Sequence, residues 1–525
     1  MNAQDKNPEP DWIDTWIASS IGICGLAAYV RTLAPDVLYA DTAEFQALAY
    51  TLGMTHSTGY PVYLLLARLV GFLPIGTLAW RINLFSAICA AVTLSFLYLI
   101  IRYLTSNRFA AVLAVSAFGI SYTFWSQAII AEVYTPGTAF LAAVIFLLWR
   151  WCQAPLERSL SLMTAATLVG LSLGVHAYTA LIAPVAVAFV IWNLLAQRIP
   201  LKRWIPSMGV GLAGALLGTG LFLLSFYLID RHNPPSSFIR VMLYPSRSIW
   251  GLQPGDFTSP IERLWLTIAG KQWQDAMFPK GVVFPWGEME AYLSRLIGNE
   301  FSIFLLLIAI FGLAAVLRLR PDIGAFILLA YILLAFFILN YYPGDKYIFY
   351  LPLNLLVVIA AGAGMGFLLE LSRNYRAIQV VLGIILLLVV FQPTLVSRWQ
   401  ALRLGLATFV KEDYAYPVKD LAEPRQVASS WAAAVPDDAV MLLNWRALYT
   451  TYYVAAVEQG RANILIYEAT PHGGDGTIAP TLITEIKNAL LEGRPVYTDD
   501  LYAPLEAQFN VEKVPGVNLY QISFY

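Results

Sequence analysis

The sequence predicts a mainly α, polytopic helical membrane protein of about eleven transmembrane helices, followed by a C-terminal extracytoplasmic α/β domain. Of its 525 residues, 58% are hydrophobic and only 13% are charged, whereas a soluble globular protein carries about a quarter charged residues. Long apolar runs fill 1–399, while 400–525 changes to short apolar runs that alternate with helical patterns. This change predicts a transmembrane domain over 1–399 and a second domain over 400–525.

Each predicted span follows from length, because a helix needs about 20 apolar residues to cross the hydrocarbon core. The candidate segments are 15–33, 82–101, 109–125, 135–151, 160–176, 178–196, 206–229, 301–317, 323–341, 347–369 and 377–396. No small-residue cleavage site follows the first segment, so we expect it to be retained and not removed as a signal peptide.

Basic residues in the short loops predict the orientation. With a cytoplasmic N-terminus, the inner loops hold Arg102, Arg108, Arg150, Arg158, Arg198, Lys202, Arg203, Arg318, Arg320, Arg373 and Arg376. The short outer connections hold little beyond Arg31, Arg68, Arg81 and Lys346. We therefore expect a multi-pass protein of the cell membrane whose C-terminal domain is extracytoplasmic.

Two loops of the transmembrane domain lie on the predicted outer side. The first outer loop, 34–81, contains a short apolar piece at 60–73, which is too short for a span and predicts a partly embedded helix. The large outer loop, 230–300, contains an amphipathic segment at 261–277 that is typical of a helix lying on the membrane interface.

The tail predicts a small α/β domain with a largely parallel sheet. Its apolar runs at 440–443, 464–467 and 495–498 are predicted strands, and helical patterns at 446–459 and 481–492 lie between them. No Gly-rich phosphate loop follows a strand, so no nucleotide is assigned. We interpret the domain as a lid or an acceptor-binding module over the membrane part.

An acidic stretch after the first span is the main candidate site. Asp41 and Glu44 are followed by His56, and ionisable residues beside a membrane are costly enough that a functional role is the default. The alternative is structural: Asp41 caps a helix that starts at Thr42, and Glu44 completes a capping box.

Further polar residues lie near the same membrane level in the predicted topology. They are Glu132, His176, Asp345 and Lys346. Each has a structural alternative: an ion pair for Glu132, helix packing for His176, and a solvated turn for Asp345 with Lys346. Their convergence at one level is what an outward-facing active site would produce.

Composition also excludes some functions. The net charge is −1 and no basic run occurs, which argues against nucleic acid as a partner. Cys24, Cys89 and Cys152 lie in apolar segments without metal-ligand or disulfide spacing, so we interpret them as small buried hydrophobes.

Several motifs resemble a family of protein O-mannosyltransferase-like membrane proteins of the GT-C glycosyltransferase superfamily. The similar stretches are Ala34-Pro35, Asp41-Thr42-Ala43-Glu44, 56–63, Arg81-Ile82-Asn83, 125–128, Glu132-Val133-Tyr134, 170–176, Asp345-Lys346-Tyr347, Leu351-Pro352, Trp445, Tyr452-Tyr453 and Arg461. The chain departs from the family at Ser57 and Thr58, where prolines commonly follow the histidine. The resemblance covers most of the chain and is densest over 31–180.

The resemblance implies a GT-C fold with a catalytic acidic residue in the first outer loop. It also implies a polyprenyl-phosphate-linked sugar donor, with mannose as the suggested sugar, and an acceptor on the outer side that is a protein or a glycan. The catalytic residues would be Asp41 and Glu44. The substrate-binding residues would be His56, Tyr60, Arg81, Glu132, His176, Asp345 and Lys346.

Inverting transfer requires a base for the acceptor hydroxyl and positive charge near the leaving phosphate. Asp41 is the candidate base, assisted by Glu44 or His56. The candidate phosphate-binding cations are Lys346, Arg81, Arg231, Arg240 and Arg247. No DxD run occurs in the first outer loop, and a divalent metal is neither required nor excluded.

Two other functions compete with this one. A membrane transporter or lipid flippase would place its ionisable residues near the bilayer midplane, often in repeated halves, and we find no internal repeat. A non-catalytic scaffold would not require an acidic loop with a histidine turn.

Overall fold

The computed structural model describes residues 9–281, 283–411, 416, 420–471 and 477–525. In 1–399 the helices, in chain order, are α1 Trp12–Arg31, α2 Ala40–Thr51, α3 Pro61–Gly71, α4 Leu78–Leu104, α5 Arg108–Gly119, α6 Tyr122–Ala128, α7 Tyr134–Gln153, α8 Ser159–Ser172, α9 Tyr178–Leu181, α10 Ala183–Ala196, α11 Leu201–His232, α12 Pro260–Ile268, α13 Trp286–Arg295, α14 Ile303–Leu319, α15 Pro321–Leu339, α16 Leu351–Leu371 and α17 Arg376–Phe391. The helix α18, Leu395–Leu404, leads into the tail.

The predicted spans agree with the helices. Within the described residues, seven helices are long and apolar enough to cross a membrane, and ten are if each of three bent pairs counts as one span. The one predicted span that is not among these ten is 160–176, the fifth in chain order; it corresponds to α8, which has only 14 residues. A helix rises about 1.5 Å per residue, so α8 is too short to cross alone. The polytopic helical class is confirmed, with fewer full-length spans than eleven.

The terminal domain contains α19 Glu423–Ala434, β1 Val440–Leu443, α20 Trp445–Tyr452, β2 Leu465–Glu468, α21 Pro480–Leu491, β3 Val496–Thr498, α22 Ala503–Glu506, β4 Asn510–Lys513 and β5 Tyr520–Ser523. Its sheet has the order β2-β1-β3-β5-β4. The three predicted strands form its parallel part, and β5 and β4 add an antiparallel edge. The α/β class of the tail is confirmed.

The two ends of the transmembrane helix bundle carry different groups of residues. At the end where α1 begins, the buried Asp14 carboxylate binds Arg102 Nε at 2.8 Å and Arg108 Nε at 2.9 Å. Tyr98 also donates a hydrogen bond to it, at 2.9 Å. This network joins α1 to α4 and α5. The opposite end of the bundle carries α2, α3 and the terminal domain.

Asp14→Ala should destabilise the protein by about 3 kcal/mol, because it leaves the buried Arg102 without its counter-charge. The measurement is thermal unfolding in detergent. Glu370→Ala is the control, since its ion pair with Arg373 is exposed and should contribute about 1 kcal/mol or less. Equal effects of the two substitutions would contradict a dominant role for the buried network.

Candidate active site

The helix α2 carries both acidic residues of the first loop. It begins at Ala40 after Tyr39, and no side chain caps it. The capping alternative for Asp41 and Glu44 is therefore wrong: neither carboxylate caps α2, and each binds a residue from another segment. Glu44 is fully buried, whereas Asp41 is partly exposed.

Glu44 holds the loop that follows α2. Its two oxygens accept the backbone N–H of His56 at 2.8 Å and bind the His56 ring nitrogen Nδ1 at 2.5 Å. Gly59 makes the tight turn after His56: its φ of +83° favours glycine, and an added Cβ would lie 2.6 Å from the Thr267 side chain. The loop thus returns the chain to α3 with His56 fixed beside Glu44.

The environment of His56 favours its charged form. Burial by itself would lower the pKa of the imidazole, but the negative charges of Glu44 and then Asp41 outweigh burial and raise the pKa to about 9. With Nδ1 bound to Glu44, the second ring nitrogen Nε2 has no hydrogen-bond partner among the described residues. His56 can therefore present an N–H donor with positive charge.

One cavity of about 390 Å³ collects the candidate residues from distant parts of the chain. Its walls include Asp41, His56, Ser57, Tyr60, Tyr134, Phe238, Trp273, Tyr341, Asp345, Phe349, Trp445, Glu468 and Thr470. The structure therefore brings together Asp41, His56, Tyr60 and Asp345, which the sequence separates by up to about three hundred residues.

The ionisable side chains of this cavity are mostly acidic. Asp41, Asp345 and Glu468 line it, with His56 as the positive group, and no Lys or Arg is among its described lining residues. Burial and then the charge of Asp499 raise the pKa of Glu468 well above its usual range. In the described part of the chain, no three His, Cys, Asp or Glu side chains are close enough to hold a metal ion.

The terminal domain closes one wall of the cavity. Trp445, the first residue of α20, donates its indole N–H to Asp41 Oδ1 at 2.5 Å. Its ring lies edge-on to His56, with a centroid separation of 6.1 Å. The domain predicted as a lid or acceptor module thus contacts the candidate base directly.

Glu132 and His176 lie behind the cavity wall. Glu132 accepts a hydrogen bond from Thr42 at 3.3 Å, which couples it to α2. The His176 ring packs between Tyr60 at 6.4 Å and Tyr134 at 5.2 Å, and neither Glu132 nor His176 lines the cavity. His176 thus packs against two cavity-lining rings, which agrees with its packing alternative.

The candidate cations lie outside the cavity. The Lys346 ammonium binds Glu288 at 2.7 Å and the Leu339 carbonyl at 3.0 Å. Arg81 donates to the Leu73 carbonyl and lines a separate cavity with Arg68. Arg231, Arg240 and Arg247 do not line the 390 Å³ cavity either, and Arg247 pairs with Glu485 at 3.3 Å.

Sequence reasoning named Trp445 only as part of the family resemblance and did not place Trp445 or Glu468 in the site. Glu468 is the last residue of β2 and Asn444 directly follows β1, so both lie at the carboxyl edge of the parallel strands. Ligand sites of such sheets form at that edge. This rule would have singled out Glu468, but nothing in the sequence indicates that the edge faces Asp41.

Comparisons with known proteins agree with the resemblance. Residues 41–199 match the family model described as Protein O-mannosyl-transferase TMEM260 N-terminal domain. Protein O-mannosyl-transferase TMEM260 of Mus musculus is 32% identical over 150 residues, which are 28% of this chain and 21% of that protein. The Dictyostelium discoideum protein of that name is 29% identical over 122 residues, or 23% of this chain and 15% of its own length. The chain thus spans about a fifth or less of these relatives.

Two solved structures share the fold over nearly the whole chain. ArnT from Cupriavidus metallidurans, bound to undecaprenyl phosphate, is 14% identical with a TM-score of 0.56 and 97% coverage of both chains. The apo Archaeoglobus fulgidus oligosaccharyltransferase is 12% identical with a TM-score of 0.53, covering 93% of this chain and 70% of the other. The resemblance to O-mannosyltransferase-like proteins and the GT-C fold are both confirmed.

Raising the pH should destabilise the first loop. The pKa of His56 is raised in the folded protein, so the pair with Glu44 contributes fully below about pH 6.5 and its contribution is lost as the pH rises toward about 9. Between pH 6 and pH 9.5, we expect the Tm of the wild-type protein to fall by about 3 °C more than the Tm of the His56→Asn variant falls. Parallel pH dependence in the two proteins would contradict the charged pair.

Proposed function

We propose that this protein is a membrane glycosyltransferase of the GT-C type that moves a sugar from a polyprenyl-phosphate-linked donor to an acceptor hydroxyl. One observation carries the proposal: a single cavity is lined by Asp41 and His56, which both lie within the matched family region, and is closed by the terminal domain. The names of the sequence relatives favour mannose as the sugar. The lipid phosphate in the ArnT structure favours a polyprenyl phosphate carrier.

Asp41 is the proposed general base. The acceptor oxygen attacks the anomeric carbon, the bond from that carbon to the phosphate oxygen breaks, and the Asp41 carboxylate takes the hydroxyl proton. The products are the glycosylated acceptor and the polyprenyl phosphate. Attack opposite the leaving phosphate inverts the anomeric configuration and requires no covalent carboxylate intermediate.

His56 is the proposed stabiliser of the leaving phosphate. It is the positive group of the cavity, and Glu44 fixes its ring through Nδ1 while Nε2 stays available. Negative charge develops on the phosphate as the sugar leaves, and a preorganised cationic donor stabilises that charge. The geometry favours His56 for this role over Lys346 and Arg81, whose charged groups bind elsewhere.

The cavity is proposed to open on the extracytoplasmic side of the cell membrane. The loops with most basic residues belong to the opposite end of the bundle, which supports a cytoplasmic N-terminus. The acceptor, a protein or a glycan, would then approach between the membrane bundle and the terminal domain. Leu69 of α3 and Phe72, which directly follows α3, are exposed apolar residues, and we expect them to contact lipid.

Asp41→Asn should lower turnover at least about a thousandfold, because the amide cannot accept the hydroxyl proton. The measurement is the release of polyprenyl phosphate from polyprenyl-phosphate mannose by the purified protein in liposomes with cell-surface acceptor extracts. Asp437→Asn is the matched control, since Asp437 is 83% exposed and lies outside the cavity.

Wild-type turnover by Asp41→Asn would remove Asp41 from the mechanism. If the wild-type protein released no polyprenyl phosphate from several sugar donors, the result would favour the transporter or flippase alternative instead.

His56→Asn should lower kcat about a hundredfold, because an asparagine amide can still donate to Glu44 but has no group in place of Nε2. Lys346→Ala should leave the KM for the donor within about twofold. Steady-state kinetics with varied donor concentration separate the two residues. A donor KM that rises strongly in Lys346→Ala alone would transfer the phosphate role from His56 to Lys346.

A further inference from the structure

The helix α20 of the terminal domain packs along α2. Thr450 of α20 donates a hydrogen bond to the Leu38 carbonyl at 2.6 Å, just before α2 begins. Trp445, at the other end of α20, reaches Asp41. Two hydrogen bonds therefore fix the start of α2 against the terminal domain, and one of them ends on the proposed base.

The carboxyl edge of the terminal sheet holds the backbone around Trp445. Asn444 follows β1, and its backbone N–H donates to Asp499 Oδ2 at 2.9 Å while its side-chain amide donates to the same oxygen at 2.5 Å. The Asn444 side chain also caps α20 through the Ala447 N–H at 3.2 Å. The buried Glu468 carboxyl, at the end of β2, lies beside the backbone of Trp445. The turn that carries Trp445 is thus tied by hydrogen bonds to Asp499, which directly follows β3.

Aromatic neighbours fix the indole ring itself. Trp445 lies edge-on to Phe238 at 5.9 Å and to Tyr449 at 5.4 Å, in addition to His56. Such contacts leave the ring little rotational freedom. Its N–H is therefore a donor with a fixed position, which is what a positioning group requires.

We propose that Trp445 is a positioning residue for Asp41, through which the docked terminal domain completes the active site. The indole N–H binds Oδ1, and Oδ2 has no hydrogen-bond partner among the described residues. Fixing one oxygen fixes the rotation of the carboxylate and directs Oδ2 at the acceptor hydroxyl. This inference rests on the proposed role of Asp41 as base.

The experiment compares Trp445→Phe with the wild-type protein in the polyprenyl phosphate release assay. Phenylalanine keeps an aromatic ring in the cluster and removes the N–H donor. We expect kcat to fall between tenfold and a hundredfold, on the order of the cost of a misplaced catalytic group. The KM for the donor should stay within about twofold, because donor contacts are not removed.

Tyr449→Phe is the matched control. Tyr449 lies on the same helix and in the same aromatic cluster, and its hydroxyl donates to the Ser236 carbonyl at 3.1 Å without lining the cavity. We expect its kcat to equal the wild-type value within about twofold. An equal loss of kcat in both variants would show a packing role for α20 and overturn the inference.

Trp445→Phe with wild-type kcat would also overturn the inference, while an inactive Asp41→Asn in the same assay would leave the proposed function standing. No activity in the wild-type protein would instead reject the proposed function together with the inference.

If Trp445→Phe unfolds, benzothienylalanine at position 445 keeps the bicyclic ring and replaces only the N–H by sulfur. The same fall in kcat is then expected, and its absence overturns the proposal.

Discussion

The buried ion pair of Glu44 and His56 is the interaction on which the candidate site depends. A carboxylate with no solvent exposure is stable only where hydrogen bonds or an opposite charge replace its hydration. Glu44 receives both from His56, through the backbone N–H and the ring. The pair fastens the loop after α2 to the helix, and Asp41, one turn earlier, is left facing the cavity.

The site belongs to neither domain alone. The membrane bundle supplies Asp41, His56 and Asp345, and the terminal domain supplies Trp445 and Glu468. The carboxyl edge of the parallel strands, where α/β folds commonly place ligand sites, faces the first loop. The terminal domain also contacts α2 directly, because Trp445 donates a hydrogen bond to Asp41. Residues of both parts of the chain are therefore needed to form the cavity wall.

The charge balance of the cavity shapes its chemistry. Three carboxyl groups and one histidine line it, whereas the nearby cations serve structural roles: Lys346 binds Glu288, and Arg425 joins Asp36 to Glu458. Carboxyl groups together with aromatic rings such as Tyr60 and Trp273 are compatible with the proposed sugar donor and acceptor. In the proposed function, a phosphate in this cavity would have His56 as its cationic partner, and the ring of that histidine is held by the buried Glu44.

The sequence by itself determined the helical membrane class and the three parallel strands, and it singled out the segment with Asp41, Glu44 and His56 as a candidate site. These are local properties, since hydropathy over a span and the cost of an ionisable residue beside lipid can be evaluated within one segment. Only the tertiary structure decided that Lys346 turns to Glu288, and that Trp445 reaches Asp41 across 404 positions. Such pairings depend on how the terminal domain docks on the bundle, and no periodicity or spacing within one segment encodes the contact between two distant surfaces.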